Sequence, residues 1–161
     1  MSTLSQILRS ITLSILFGGA GMITFAAITL VRAAREKGLP IADAAMNNAP
    51  IFLNFSTIAL ACAVILVIAE ILDFVKNKQA ASKLTKARWA TSLISAAAAM
   101  TFSLGIVPPM KQLLPEIRSN EEAHTKFDAF HKHSEKVFGV MMLFALASIL
   151  LPAFDKPKRI S

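Results

Sequence analysis

Along this chain apolar and polar stretches alternate in blocks of about twenty residues, the length a helix needs to cross a bilayer at 1.5 Å per residue. Ile11 to Val31 carries no charge and is closed by Arg32 and Arg35. A second apolar run follows Pro50 and lasts to about Val75, a third extends from Trp89 to Val107, and a fourth from Val137 to Pro152. The pattern predicts an all-α fold: a four-transmembrane-helix bundle with spans at about 11–31, 52–75, 89–107 and 137–152 in a single integral membrane domain, 1–161. The run behind Arg9 exceeds the roughly 7–15 residues of a signal-peptide core, so it is expected to stay as the first span.

The connections carry their own signals. Gly38 and Pro40 break the chain after the first run, a short helical stretch is expected over Ile41 to Met46, and Asn47 and Asn48 ahead of Pro50 predict a helix start. Pro108 and Pro109 are expected to stop the third span, leaving Met110 to Ile117 as a short surface segment with Met110, Leu113, Leu114 and Ile117 on one side. Ser119 and Glu122 have the spacing of a capping box, which predicts a new helix from about Asn120. No proline follows until Pro152, so this fourth helix should be long, with 120–136 outside the membrane and the rest within it.

Two faces consist only of small residues. Ser10, Ser14, Gly18 and Gly21 share one side of the first span, and Ser92, Ala96, Ala99 and Ser103 share one side of the third. Small side chains let a neighbouring backbone approach closely in lipid. The first face reads either as a homodimer seam or as packing within the chain. The second reading is the expectation, with the third span central and the two small faces meeting.

Composition agrees with a lipid environment. Of 161 residues 55% are hydrophobic, mean hydropathy is +0.58, and the charges lie between the apolar runs rather than inside them. The balance is basic, 17 Lys and Arg against 10 Asp and Glu, but the cations are spread over separate connections and build no face that could follow a phosphate backbone. Nucleic acid is therefore excluded as a partner, and membrane lipids and other membrane subunits are expected. Cys62 is the one cysteine, so no disulfide forms within the chain. Nine Lys and Arg fall with the N-terminus, the second connection and the tail, against eight in the other two connections. The five at 76–88 are packed close to span ends, which favours both termini in the cytoplasm, in an inner, plasma or thylakoid-type membrane.

Candidate chemistry concentrates in two places. Glu70 and Asp73 lie one turn apart near the end of the second run. Carboxylates at that depth serve as a proton or cation site, or pair with cations at neighbouring helix ends, where Arg9 and Arg88 begin the first and third spans. The stretch 107–139 holds all three histidines and half of the acidic residues. On its helix Ala123, Phe127, Phe130, Ser134 and Val137 form an apolar seam, and beside it Glu121, His124, Asp128, His131 and Glu135 set each imidazole within a turn of a carboxylate. Glu121, His124, Asp128 and His131 are candidate ligands for a divalent metal, Glu121-x-x-His124 echoing the spacing of di-iron helices, though no second such motif occurs. The alternatives are a solvated stripe of pairs worth a few tenths of a kcal/mol each, at about that size, and a pH-sensing stripe. No other cofactor is expected.

The element Phe127-x-x-Phe130-His131-Lys132-x-Ser134 leading into the last span, the Pro108-Pro109-Met110 break and the Gly-rich first span with Phe25 resemble the transmembrane protein 205-like family (domain of unknown function 4149). The similarity runs from about Leu13 to Leu151; Phe130 stands where the family usually has leucine, and no proline follows Phe25. The resemblance implies four spans and no established enzymatic activity. It extends distantly to copper-resistance and haem-binding four-helix proteins, which keep their histidines inside spans, whereas all three here lie outside the apolar runs. No nucleophile elbow, phosphate loop, dinucleotide fingerprint or zinc-protease helix occurs. The expected function is accordingly non-catalytic: an accessory or structural subunit packing in or against a larger membrane assembly, where a respiratory or photosynthetic complex fits the size. A small carrier or metal-handling protein using Glu70 and the His124/Asp128/His131 stripe is the alternative.

Overall fold

The computed structural model describes residues 3–39 and 41–154, and of 41–48 the backbone alone; the basic tail with Lys156, Lys158 and Arg159 lies outside the described residues. Within them the chain is all-α, with four helices long and apolar enough to cross a membrane: Thr3–Glu36, Ala49–Asn77 as part of the helix Ile41–Asn77, Lys83–Glu116 and Glu121–Phe154. This is a multi-pass integral membrane protein.

Each helix ends where its local chemistry stops it. Gly38 takes φ +64, and its N–H and that of Leu39 bond back to the carbonyls of Arg35 and Ala34 at 3.1 and 2.9 Å. That double closure satisfies the orphan carbonyls of the first helix and needs a residue without Cβ. Ser82 opens the third helix by accepting from the Thr85 N–H at 3.0 Å. The fourth is capped by Asn120, whose Oδ1 accepts from the N–H groups of Glu122 and Ala123 at 3.0 and 3.3 Å. The cap is thus Asn120 rather than Ser119, which instead donates to the Glu116 carbonyl.

Prolines expected as boundaries fall inside helices. The second helix begins at Ile41 and runs unbroken through Pro50, as membrane helices tolerate when the freed carbonyl finds another partner. In the third, a π-helical turn at Thr101–Ile106 leads directly into an α segment, Val107–Leu113, that uses Pro108 and Pro109 in its first turn. Proline is accommodated there because a first turn has no N–H bonds to lose. The expected surface segment is therefore a continuation of the span, and Met110 is buried at 2% exposure. A second π turn, Ile15–Gly19, interrupts the first helix.

The helices alternate up and down. The third packs on the second and fourth, and the first packs on the second and fourth, so the first and third lie diagonally. The expectation that their small faces meet is corrected. The Ser92–Ser103 face is buried, but its hydroxyls reach the other neighbours: Ser92 bonds the Ser148 hydroxyl, Ser95 donates to the Met141 carbonyl at 2.9 Å, and Ser103 to the Ser56 carbonyl at 2.8 Å. Ala96 and Ala99 on that face are fully buried. On the first helix, Ser10, Ser14 and Gly18 point outward and Gly21 is half-buried against Met142. The glycine that the packing requires is Gly19, where an added Cβ would stand 2.8 Å from the Phe55 ring.

The interior has three zones. Phe52, Phe55, Phe102 and Phe138 join the second, third and fourth helices through ring pairs 5.1–5.9 Å apart, mostly edge to face as aromatic quadrupoles prefer. Leu13, Leu16, Ala63, Leu66 and Met141 fill the middle. Charges occupy the end where the N-terminus, the 78–82 connection and the end of the fourth helix gather, called the proximal end below.

Candidate functional site

At the proximal end the second helix sets Glu70, Asp73 and Asn77 on one face, three and four residues apart. The third helix brings Arg88 and Trp89 against it. Arg88 Nη2 donates to Asp73 Oδ2, the Trp89 indole N–H donates to the same oxygen at 2.9 Å, and Asn77 Nδ2 donates to Asp73 Oδ1 at 2.9 Å. Arg88 Nη1 reaches Glu70 at 3.4 Å. Asp73, Glu70 and Arg88 are exposed by 0, 2 and 3%. Arg9, also buried and within electrostatic reach of both carboxylates, completes a set of two cations and two anions. Compensation in this manner is what allows charge so far from water. Arg9 Nη1 and Glu70 Oε2 have no hydrogen-bond partner among the described residues. A cavity of about 80 Å³ adjoins Arg9, with Ser10, Ser14 and Ser148 on its walls.

Trp89 is therefore no interfacial anchor, as its place at the head of a span would imply, but a buried donor, stacked edge-on against Phe74 with centroids 5.1 Å apart. An indole N–H serves equally at a headgroup or on an inward carboxylate, and only the facing helix decides between them.

At the distal end, between the first, second and fourth helices, lies a groove of about 680 Å³. Its walls are apolar: Ile23, Ala27 and Ile28 from the first helix, Phe52 from the second, Phe138 and Met142 from the fourth. Its rim is charged, with Arg32 and Arg35 on the first helix and Asp128, His131 and Glu135 on the fourth. The sequence signal for this groove was half visible. Asp128, His131 and Glu135 were legible as a stripe, whereas Arg32 and Arg35 read only as the charges that close a span.

The stripe itself divides into separate pairs. His124 Nδ1 lies 3.7 Å from Asp128 Oδ2 and His131 Nε2 lies 3.3 Å from Glu135 Oε1, all about half exposed or more. Glu121 stands in the first turn, exposed. Among the described residues no three His, Cys, Asp or Glu side chains gather so as to hold a metal; Glu121, His124, Asp128 and His131 are strung along one helix, with His124 beside Asp128 and His131 beside Glu135. The reason is directional: successive pairs on one helix follow its surface and never converge without ligands from a second helix. Lys126 closes on Glu122 at 2.6 Å on the exposed side.

Of the Phe127–Ser134 element, Phe127 and Phe130 are half-buried, Ser134 is buried and bonds the His131 carbonyl at 2.7 Å, and the His131 ring lies nearly parallel to Phe127 with centroids 6.5 Å apart. Its inward residues fix the fourth helix on the bundle; its outward histidine faces the groove.

Residues 11–119 match the family described as Domain of unknown function (DUF4149). The matched stretch takes in the first three helices and ends ahead of the fourth, so the Phe127–Ser134 element lies beyond it. No curated protein and no solved structure matches the chain.

Proposed function

The chain belongs to the family of domain of unknown function 4149 (DUF4149), and on that premise we propose that it is a non-catalytic accessory or structural subunit that packs in or against a larger membrane assembly. The observation that carries this reading is the direction of the small-residue face of the first helix. Gly18 turns away from the bundle, with nothing within 4 Å of a Cβ built on it, and Ser10 and Ser14 are exposed on the same side, beside the small cavity that they share with Ser148. In lipid such a face gains from the close approach of another backbone, because van der Waals packing rather than water exclusion drives helix association there. The interior supports the same reading. Between the proximal charges and the distal phenylalanines the described interior is mainly apolar packing, its buried serine hydroxyls bonded to neighbouring helices, and among the described residues no ionised side chain is buried there.

In this role the first half of the fourth helix, 120–136, stands outside the membrane as a second docking surface, supported by its exposed charges from Glu121 to Lys136. Both termini face the cytoplasm, supported by Lys76, Lys78, Lys83, Lys86 and Arg88 at the proximal end.

A native gel of the protein's own membranes tests the assignment. Comigration with a large complex is expected, and Gly18→Leu should release the chain while its helical content stays unchanged. Migration of the unaltered chain by itself would overturn the reading.

A further inference from the structure

The distal groove shares Asp128, His131 and Glu135 with the outer half of the fourth helix, but its apolar floor lies below that surface and its chemistry is specific. Its volume of about 680 Å³ falls within the range of about 300–1,000 Å³ that small-molecule sites occupy. The floor is apolar and belongs to membrane-spanning segments, while the two lips carry opposite charge: Arg32 and Arg35 on the first helix, Asp128 and Glu135 on the fourth. Among the described residues no ion pair joins one lip to the other; the carboxylates meet only the histidines of their own helix. Opposite charges held apart above an apolar floor are the complement of a zwitterionic headgroup above an acyl chain. Guanidinium groups hold phosphate oxygens through paired charge-assisted bonds, and a primary ammonium offers three N–H donors to carboxylates.

We infer that the groove binds one phospholipid with a phosphoethanolamine headgroup. The phosphate lies on Arg32 and Arg35, the ammonium on Asp128 and Glu135, and an acyl chain follows Ile23, Ala27, Phe52 and Met142. A choline head has no N–H to give the carboxylates. An anionic glycerol head lacks the ammonium as well and sets uncompensated negative charge beside them.

The test uses the full chain in detergent, washed free of lipid and incubated with micelles holding equal phosphatidylethanolamine, phosphatidylcholine and phosphatidylglycerol, with retained lipid counted by native mass spectrometry. One ethanolamine lipid per chain is expected, preferred about tenfold over the choline lipid, the ratio that loss of one charge-assisted bond produces. Asp128→Asn with Glu135→Gln should abolish that preference and leave a lipid bound. Arg32→Gln with Arg35→Gln should lower retention of every phospholipid by about tenfold or more. Ala27→Phe, which leaves both lips intact, should fill the floor and release the lipid, with helicity by circular dichroism confirming the fold of each variant. Lipids retained in the proportions of the micelle, a preference for phosphatidylglycerol, or an ethanolamine preference that survives the carboxylate substitutions would each overturn the inference.

Discussion

Arg88 is the residue on which the proximal end depends, since it meets both buried carboxylates. Replacing it by Met leaves Glu70 and Asp73 near each other with only Arg9 to offset them, and an uncompensated buried charge of this kind costs about 3–5 kcal/mol. Arg88→Met should therefore lower the midpoint of thermal unfolding in detergent strongly, while adding Glu70→Leu and Asp73→Leu should recover most of the loss. A single variant as stable as the parent would show that the cluster is solvated. Two adjacent glycines give a finer contrast. Gly18→Ala meets open space and should be neutral or slightly stabilising, by up to about 1 kcal/mol from helix propensity, whereas Gly19→Ala presses on the Phe55 ring at 2.8 Å and should cost about 1–3 kcal/mol. Equal melting midpoints for the two would contradict the packing. At this scale the sequence revealed which residue types could act but rarely their direction: Glu70, Asp73, Arg9 and Arg88 were placed at one depth by their distances from span ends, while Gly18 and Gly19 are indistinguishable without a neighbour.

Helices differ in how well their ends were legible. The start near Asn120 and the stop at Gly38 follow from chemistry within four residues of each other, so the sequence carried them almost to the residue. Pro50 and the Pro108-Pro109 pair were misread as boundaries because a proline reports only that one N–H is missing, and surrounding helices decide whether the chain turns there. The buried Met110 makes this testable: Met110→Ala should cost about 2–5 kcal/mol, as truncation in a packed core does, while a surface segment would lose almost nothing in the same melt. For the fourth helix, single cysteines in a Cys62→Ala background separate its two halves. A membrane-impermeant maleimide, applied to inside-out and right-side-out vesicles in parallel, should modify Lys126→Cys in one of the two and Leu143→Cys in neither; protection of both positions in both preparations would place the whole helix within the bilayer.

For the whole molecule the arrangement of the four helices is the property that matters. Ser92 and Ser148 touch through their hydroxyls, so Ser92→Cys with Ser148→Cys should cross-link under mild oxidation, whereas Ser14→Cys with Ala96→Cys, on the diagonal helices, should not; the reverse outcome would restore the first-to-third packing that the small faces imply. The sequence by itself determined the number of long apolar helices and the charge at each end, because hydropathy and helix rise act along the chain and need no partner. Which helices are neighbours, which small face is left exposed, and that Arg32 and Arg35 stand opposite Asp128 and Glu135 were decided only by the tertiary structure. Those are relations between positions far apart in the chain, and they are set by the close packing of side chains around the Phe52, Phe102 and Phe138 rings and the Arg88 cluster rather than by any local pattern.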